Sequence, residues 1–360
     1  MTNSRFGVIA GAAVPHAPQF MSRPDTEDLD QVERVRVAMK DVGDRLRALQ
    51  PDLTIVITND HGDEFAVGCV PPFVVHCGAR AQGQHRHQGW WTVAGEHGYQ
   101  LTAALLEEGF DPAFSLDVPV QTAFTIAYDF MGYGRSDAFL PIFVNSYIPP
   151  QPSVERCFAF GQAIHRASVR LGWRTAIIAS GGFSHYPGTP QYPHPDVKTD
   201  RGLFERIAAG NLRSLLALDD VALDHTGNVE ARSILILAGA IGDRMPDVTA
   251  WEPSWHHTYA VFGWTAPPDA APPGLHYPAM PPQRAQLARA VFSLRTDNEA
   301  CRAYLQDAAG YAATHELAPD EAAALIAMDE PKLRVEFAIH PLLIAGAQRR
   351  LAMLRQQTAA

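Results

Sequence analysis

Residues 53–61 read LTIVITNDH, a short run of Leu, Thr, Ile and Val that ends in Asn59, Asp60 and His61. A run of this length, rich in β-branched residues and bounded by turn formers, predicts a buried strand that empties into a loop. Working outward, FGVIAG (6–11), FLPIFVN (139–145), RTAIIASGG (174–182) and TYAVFGW (258–264) share its character. Between the first two strands Val35, Met39, Val42, Leu46 and Leu49 recur at helical spacing, and residues 154–171 and 229–241 also favour helix. Strands alternating with helices predict an α/β fold with a central sheet flanked by helices. The pattern leaves the strand order open.

Residues 266–282 read APPDAAPPGLHYPAMPP, where donor-less prolines replace any periodic pattern. This Pro-rich linker divides a domain over 1–265 from a small helical domain over 283–360, and 360 residues suffice for one large domain with a smaller companion. The second part is dense in Ala, Leu, Glu, Gln and Arg and lacks a strand pattern. Helices should start near Asp297 and near Pro319, where proline precedes acidic residues.

Acidic residues outnumber basic ones by 39 to 29, a formal net charge of -10, and no cluster of Lys and Arg interrupts that excess. Nucleic acid and anionic membrane surfaces are therefore not expected partners. No segment has the apolar length of a membrane span, and Cys69, Cys77, Cys157 and Cys301 form no CxxC pair, so a reducing cytoplasm is the expected location. The chain carries 15 histidines, the commonest metal-binding side chain.

Three strand ends each deliver a histidine: Val14-Pro15-His16, Asn59-Asp60-His61 and Ser184-His185. If those strands are parallel neighbours, the imidazoles meet at one edge of the sheet, where α/β proteins place their sites. Each feature also has a plainer account. His16 could be a hydrogen-bonded loop residue, Asp60-His61 a capped turn, and Ser180-Gly181-Gly182 a loop without the lysine or spacing of a nucleotide motif. Ser184 beside His185 is poorly placed as a nucleophile, since adjacent strand residues point apart. A metal needs a third ligand, and two histidines with one carboxylate leave positions open for a bidentate substrate and O₂ on iron(II). Glu230 is a candidate, although a helix N-terminus favours a carboxylate without any metal, and spacing alone does not separate it from Asp60, Asp63 or Glu64. His85, His87, His256 and His257 could contribute charge or polarity for a substrate carboxylate, but read first as surface or loop residues. Arg80 and Arg86 could pair with an acidic substrate, and Trp90, Trp91, Trp251 and Tyr186 read as core or as the wall of an aromatic pocket.

Taken together, Pro15-His16-Ala17-Pro18, Thr58-Asn59-Asp60-His61, the segment from Pro149 to Gly161, Ser180-Gly181-Gly182-Phe183-Ser184-His185 and Gly227-Asn228-Val229-Glu230 resemble the class III extradiol ring-cleaving dioxygenases over residues 5–265. The nearest type is the catalytic β subunit of protocatechuate 4,5-dioxygenase. Leu317-Ala318-Pro319-Asp320-Glu321 and Ala338-Ile339-His340-Pro341 resemble its small helical α subunit, so one chain carrying both is similar to the fused gallate dioxygenases. The resemblance implies iron(II) held by His16, His61 and Glu230, an acid/base role for His185, and a contact behind the metal or to substrate from Asn59. It also implies a small aromatic diol and O₂ as substrates, a homodimer or larger assembly, a helical part that helps roof the site, and a helix-starting role for His340. Many relatives carry a second active-site histidine where this chain reads Leu116-Asp117-Val118-Pro119-Val120-Gln121-Thr122-Ala123, which leaves the exact substrate open. A zinc metallohydrolase on the same ligands and a noncatalytic aromatic-ligand binder are the competing expectations.

Overall fold

Along β2 (Leu53–Asn59) the side chains alternate between two apolar cores: Ile55 and Ile57 enter one, Val56 the other. A strand covered on both faces reads as a continuous apolar run, which is why this segment shows no polar alternation. The computed structural model describes residues 6–266, 277 and 280–359. The chain divides into two compact units, Met1–Pro268 and Asp269–Ala360. Of the expected linker, residues 267–276, 278 and 279 lie outside the described residues.

The first unit is built on an eight-stranded sheet. It contains β1 (Gly7–Val14), β2, β3 (Phe73–His76), β6 (Ala113–Ser115), β7 (Leu140–Val144), β8 (Arg174–Ser180), β9 (Val248–Pro253) and β10 (Thr258–Trp264), in the order β6-β3-β7-β2-β8-β1-β10-β9. β4 (Arg80–Gly83) and β5 (Gly89–Thr92) form a separate pair. The central block β7-β2-β8-β1 is parallel, whereas β10 runs antiparallel to β1 and β3 antiparallel to β7. All the strands expected from sequence are present. The additional ones are short or partly exposed, like the half-buried β9, and so lack the apolar run that marks a central strand.

Helices cover both faces. α1 (Gln19–Ser22) is a single turn; α2 (Leu29–Ala48) and α4 (Thr122–Phe130) fill one core, with Val35, Met39, Val42 and Leu46 packed beside Phe124 and Tyr128. α3 (Gly95–Glu107), α5 (Val154–Leu171), α6 (Val197–Ala208), α7 (Asp220–His225) and α8 (Ala231–Ile241) contribute to the other. Asp28 caps α2 through Asp30 and Gln31 N–H, and Ser153 caps α5 through Arg156 N–H. α5 and α8 meet backbone to backbone. A Cβ on Gly161 would lie 1.8 Å from the Ile236 carbonyl oxygen, and one on Gly239 would lie 1.9 Å from that of Phe158. This contact fixes α8, and with it Glu230 at its N-terminus.

The second unit packs α9 (Ala285–Thr296), α10 (Asn298–Gln306), α11 (Ala308–Ala313), α12 (Pro319–Ala327) and α13 (Pro341–Ala359) around Leu287, Val291, Leu294, Leu325, Ile344 and Leu351. Asp297 caps α10 and Pro319 opens α12, as the sequence suggests. His340 Nδ1 accepts from Leu342 N–H at 3.2 Å, so it starts α13. Among the described residues no helix is long and apolar enough to cross a membrane. Gly161→Ala should lower stability by about 1–3 kcal/mol, because the added methyl must push α8 off α5; urea denaturation of the full chain measures the loss.

Candidate metal centre and active site

Because β7, β2, β8 and β1 are parallel neighbours, their C-terminal ends form one edge. Just beyond those ends stand Tyr147, His61, His185 and His16. Glu230 reaches the same point from the opposite direction, at the N-cap of α8, where the positive end of the helix dipole favours a carboxylate. Its Oε1 lies 3.2 Å from His61 Nε2, 3.4 Å from His185 Nε2 and 3.6 Å from His16 Nε2. Oε2 accepts from Gly182 N–H at 2.8 Å, and the Tyr147 hydroxyl donates to Oε1 at 3.1 Å. Glu230 is fully buried, His16 and His185 are buried, and His61 is exposed.

Hydrogen bonds assign the ring protons. Ser180 Oγ has one hydrogen and donates it to the Ala123 carbonyl at 2.6 Å, so its 3.0 Å contact with His16 must be Nδ1–H donating to Oγ. His16 therefore turns the lone pair of Nε2 towards Glu230 and His61. His185 Nδ1 similarly donates to the Phe183 carbonyl at 3.0 Å, which leaves Nε2 as the atom that gains or loses a proton, 3.0 Å from the Tyr147 hydroxyl. Burial alone would raise the Glu230 carboxyl, but the imidazoles of His16 and His185 hold it well below the ordinary carboxylate range. Burial lowers His16; at His185 burial also opposes the charge, but Glu230 outweighs it and raises the imidazole. Burial pushes the Tyr147 phenol up, so it remains a donor.

One ligand atom from each of His16, His61 and Glu230 lies within 4.8 Å of the others. Three donors on one ion with bonds of about 2.1 Å are separated by no more than roughly twice that length, so this set is close to a coordination shell without any large movement. The chemistry of the set also fits, since two neutral imidazoles and a buried anion suit a divalent cation of intermediate softness.

The remaining expected residues find distinct places. Asn59 is fully buried behind His61, with Nδ2 3.3 and 3.4 Å from its ring nitrogens. Asp60 does not face the centre. Its carboxylate accepts from Gly62, Glu64 and Phe65 N–H, folding the loop that presents His61, and from Gln121 Nε2. Ser184 turns away from His185 and donates to Asp200 at 2.6 Å. Asp200, fully buried on α6, also accepts from Asn228 Nδ2 at 3.0 Å, so one carboxylate ties the loop of His185 to the turn before Glu230.

A cavity of about 300 Å³ opens on this centre, lined in part by His16, His61, His185, Gln121, Tyr192 and His257. Gln121 stands in this wall, within the segment where a second histidine was expected. Sequence reading took His256 and His257 for surface or loop residues; they lie in the loop between β9 and β10, but both are buried and line the cavity. The reason is a partner remote in sequence: His256 Nε2 lies 3.0 Å from Glu27 Oε1, which also accepts from Trp255 Nε1 at 3.1 Å. His85 is exposed, and His87 is half-buried against Thr125. Arg80 stacks on Trp90, Arg86 donates to the Met21 carbonyl, Trp91 is core, Trp251 packs on Phe204, and the Tyr186 hydroxyl donates to the His225 carbonyl. Sequence reading missed Tyr147 altogether, although applying the strand-end rule to FLPIFVN would have pointed to its loop. Ser180→Ala, which removes the acceptor that orients His16, should weaken divalent-metal affinity about 10- to 100-fold with little change in fold, measured by competition with a chelating dye.

The family model described as "Catalytic LigB subunit of aromatic ring-opening dioxygenase" matches residues 10–266. The chain is 31% identical over 189 residues to a 2,3-dihydroxyphenylpropionate/2,3-dihydroxicinnamic acid 1,2-dioxygenase of Klebsiella pneumoniae subsp. pneumoniae, covering 52% of this chain and 58% of that protein. It is 33% identical over 183 residues to the enzyme of the same name from Burkholderia vietnamiensis, covering 50% of this chain and 55% of that protein. These matches thus span somewhat more than half the length of the relatives. An uncharacterized Escherichia coli K12 protein, JW3007, aligns over 71% of this chain and 99% of its own at 11% identity with a TM-score of 0.46, too loose a likeness to inform the fold. By the extent of the family match, over residues 10–266, the chain belongs to the LigB family of aromatic ring-opening dioxygenases.

Proposed function

We propose that the protein is an iron(II)-dependent extradiol dioxygenase that opens a catecholic ring with O₂, breaking the carbon–carbon bond beside the two hydroxyl-bearing carbons and placing both oxygen atoms in the product. The observation that carries this reading is the convergence of His16, His61 and Glu230 on one point, with the His185 Nε2 beside it. The relatives named above, which act on 2,3-dihydroxyphenyl acids by name, support an aromatic diol as substrate. The helical unit that follows the LigB-like part supports the protocatechuate 4,5-dioxygenase type in its fused form.

His16, His61 and Glu230 would hold the iron. Such an ion supplies Lewis-acid and one-electron redox chemistry, with positions left open for an aromatic diol and O₂. The protein's own groups do the rest. Ser180 and Asn59 keep the two imidazoles in place from behind. His185, whose other nitrogen is committed to the Phe183 carbonyl, takes a hydroxyl proton from the diol at Nε2 and later returns one from the same atom. The Tyr147 hydroxyl, in reach of both His185 Nε2 and Glu230, is placed to hold that proton's path in line. The walls of the cavity bring the diol into a fixed orientation, which converts an encounter of separate reactants into reaction within one complex.

The test loads the full chain with iron(II) anaerobically and follows O₂ uptake and yellow ring-opened products over a panel of catechols. His16→Ala and Glu230→Ala should lose bound iron. His185→Ala should keep it and lose turnover by about 10²–10⁴-fold. If the protein instead retains zinc and takes up no O₂ with iron, a hydrolytic reading on the same ligands replaces this one.

A further inference from the structure

The groups assigned so far leave unused an imidazole that lies flat against the base. His257 is 5% exposed, lines the cavity, and stacks on His185 with centroids 4.4 Å apart and planes 5° from parallel. Its backbone and its neighbours hold it firmly. The His257 carbonyl accepts from Ser254 N–H at 2.8 Å, and the adjacent His256 is tied to the buried Glu27. Gly182 makes the room: a Cβ there would lie 1.7 Å from His257 Nε2. That nitrogen is therefore sealed, and it has no hydrogen-bond partner. Nδ1 is the ring nitrogen left to meet a molecule in the cavity.

The neighbouring wall sharpens the point. Gln121 Nε2 donates one hydrogen to Asp60 and its Oε1 has no partner, so this amide leaves an acceptor unpaired beside the cavity. Gln19 Nε2 is engaged on the Tyr192 hydroxyl. A rigid polar ring kept in a cavity wall, with one nitrogen sealed and unpaired, carries hydrogen-bonding capacity that a bound molecule can take up at the other.

We propose that His257 is a substrate-contacting residue whose Nδ1 hydrogen-bonds an oxygen of the bound aromatic diol and holds the ring in register with His185. The identity of the ligand rests on the function proposed above; the contact itself rests on the wall geometry. As the residue touching the ring from the loop between β9 and β10, His257 helps to set which substitution pattern is accepted.

The test uses the iron-loaded full chain and its His257→Phe, His257→Asn and His257→Gln variants. Anaerobic binding of 4-nitrocatechol is read from its absorbance shift, alongside metal content and O₂ uptake with catechol. His257→Phe should weaken 4-nitrocatechol about tenfold, or roughly 1.4 kcal/mol, with metal content unchanged. The Asn variant, whose amide reaches the position of Nδ1, should recover to within about threefold of the parent. The Gln variant, whose amide extends towards the sealed Nε2 position, should not. Unchanged binding in the Phe variant, metal lost in step with ligand, or equal rescue by Asn and Gln overturns the contact; the Asn–Gln contrast decides if the Phe variant does not fold. Binding that depends on His257 without O₂ uptake removes the ring-cleavage reading and leaves the contact standing. Uptake that is insensitive to His257, with unchanged binding, does the reverse, and a parent protein that binds no 4-nitrocatechol overturns both.

Discussion

A carboxylate with no exposure to water organises this protein. Glu230 is shut inside the edge of the sheet, where an unpaired charge would cost several kcal/mol. Its stabilisation comes from the Gly182 amide, the Tyr147 hydroxyl and the imidazoles that crowd Oε1. None of these groups can move far without leaving the anion unsatisfied. The same crowding pulls the carboxyl well below its ordinary range and produces a cluster of donors suited to a divalent cation.

Holding that arrangement requires two rigid bodies that meet at one point. The first is the parallel block β7-β2-β8-β1, whose strand ends space the imidazoles by the regular separation of neighbouring strands. The second is α8, seated on α5 through Gly161 and Gly239 so closely that backbone touches backbone. Asp200 joins the two loops between them, with Ser184 on one side and Asn228 on the other. Orientation is thus set behind these imidazoles, by Ser180 for His16 and the Phe183 carbonyl for His185, in the way metal and acid/base sites usually keep one ring nitrogen committed and the other available.

The sheet's central strands were legible because burial on both faces leaves a run of Ile, Val and Ala that few other environments demand. The histidines at their ends were legible for the same reason, since a strand that stops at a known residue places the next few within reach of its neighbours. Glu230 was visible only as one acidic residue among several until the resemblance singled it out. Tyr147 escaped because it follows a strand whose end carries no histidine; His257 was one of several histidines that could lend polarity to a substrate, and what escaped was the burial of its loop, which depends on Glu27, more than two hundred residues away in sequence.

Local pattern alone thus determined the α/β alternation, the helical character of the C-terminal part, its helix starts at Asp297 and Pro319, and the strand-end histidines, because periodicity, capping and turn chemistry act over a few neighbouring residues. The strand order, the pairing of Asp60 with Gln121, the stacking of His257 on His185 and the meeting of Glu230 with His16 and His61 were decided only by the folded chain. Those are contacts between segments far apart in sequence. Their energies come from burial and from filling each other's hydrogen bonds, quantities that exist only once the segments have met.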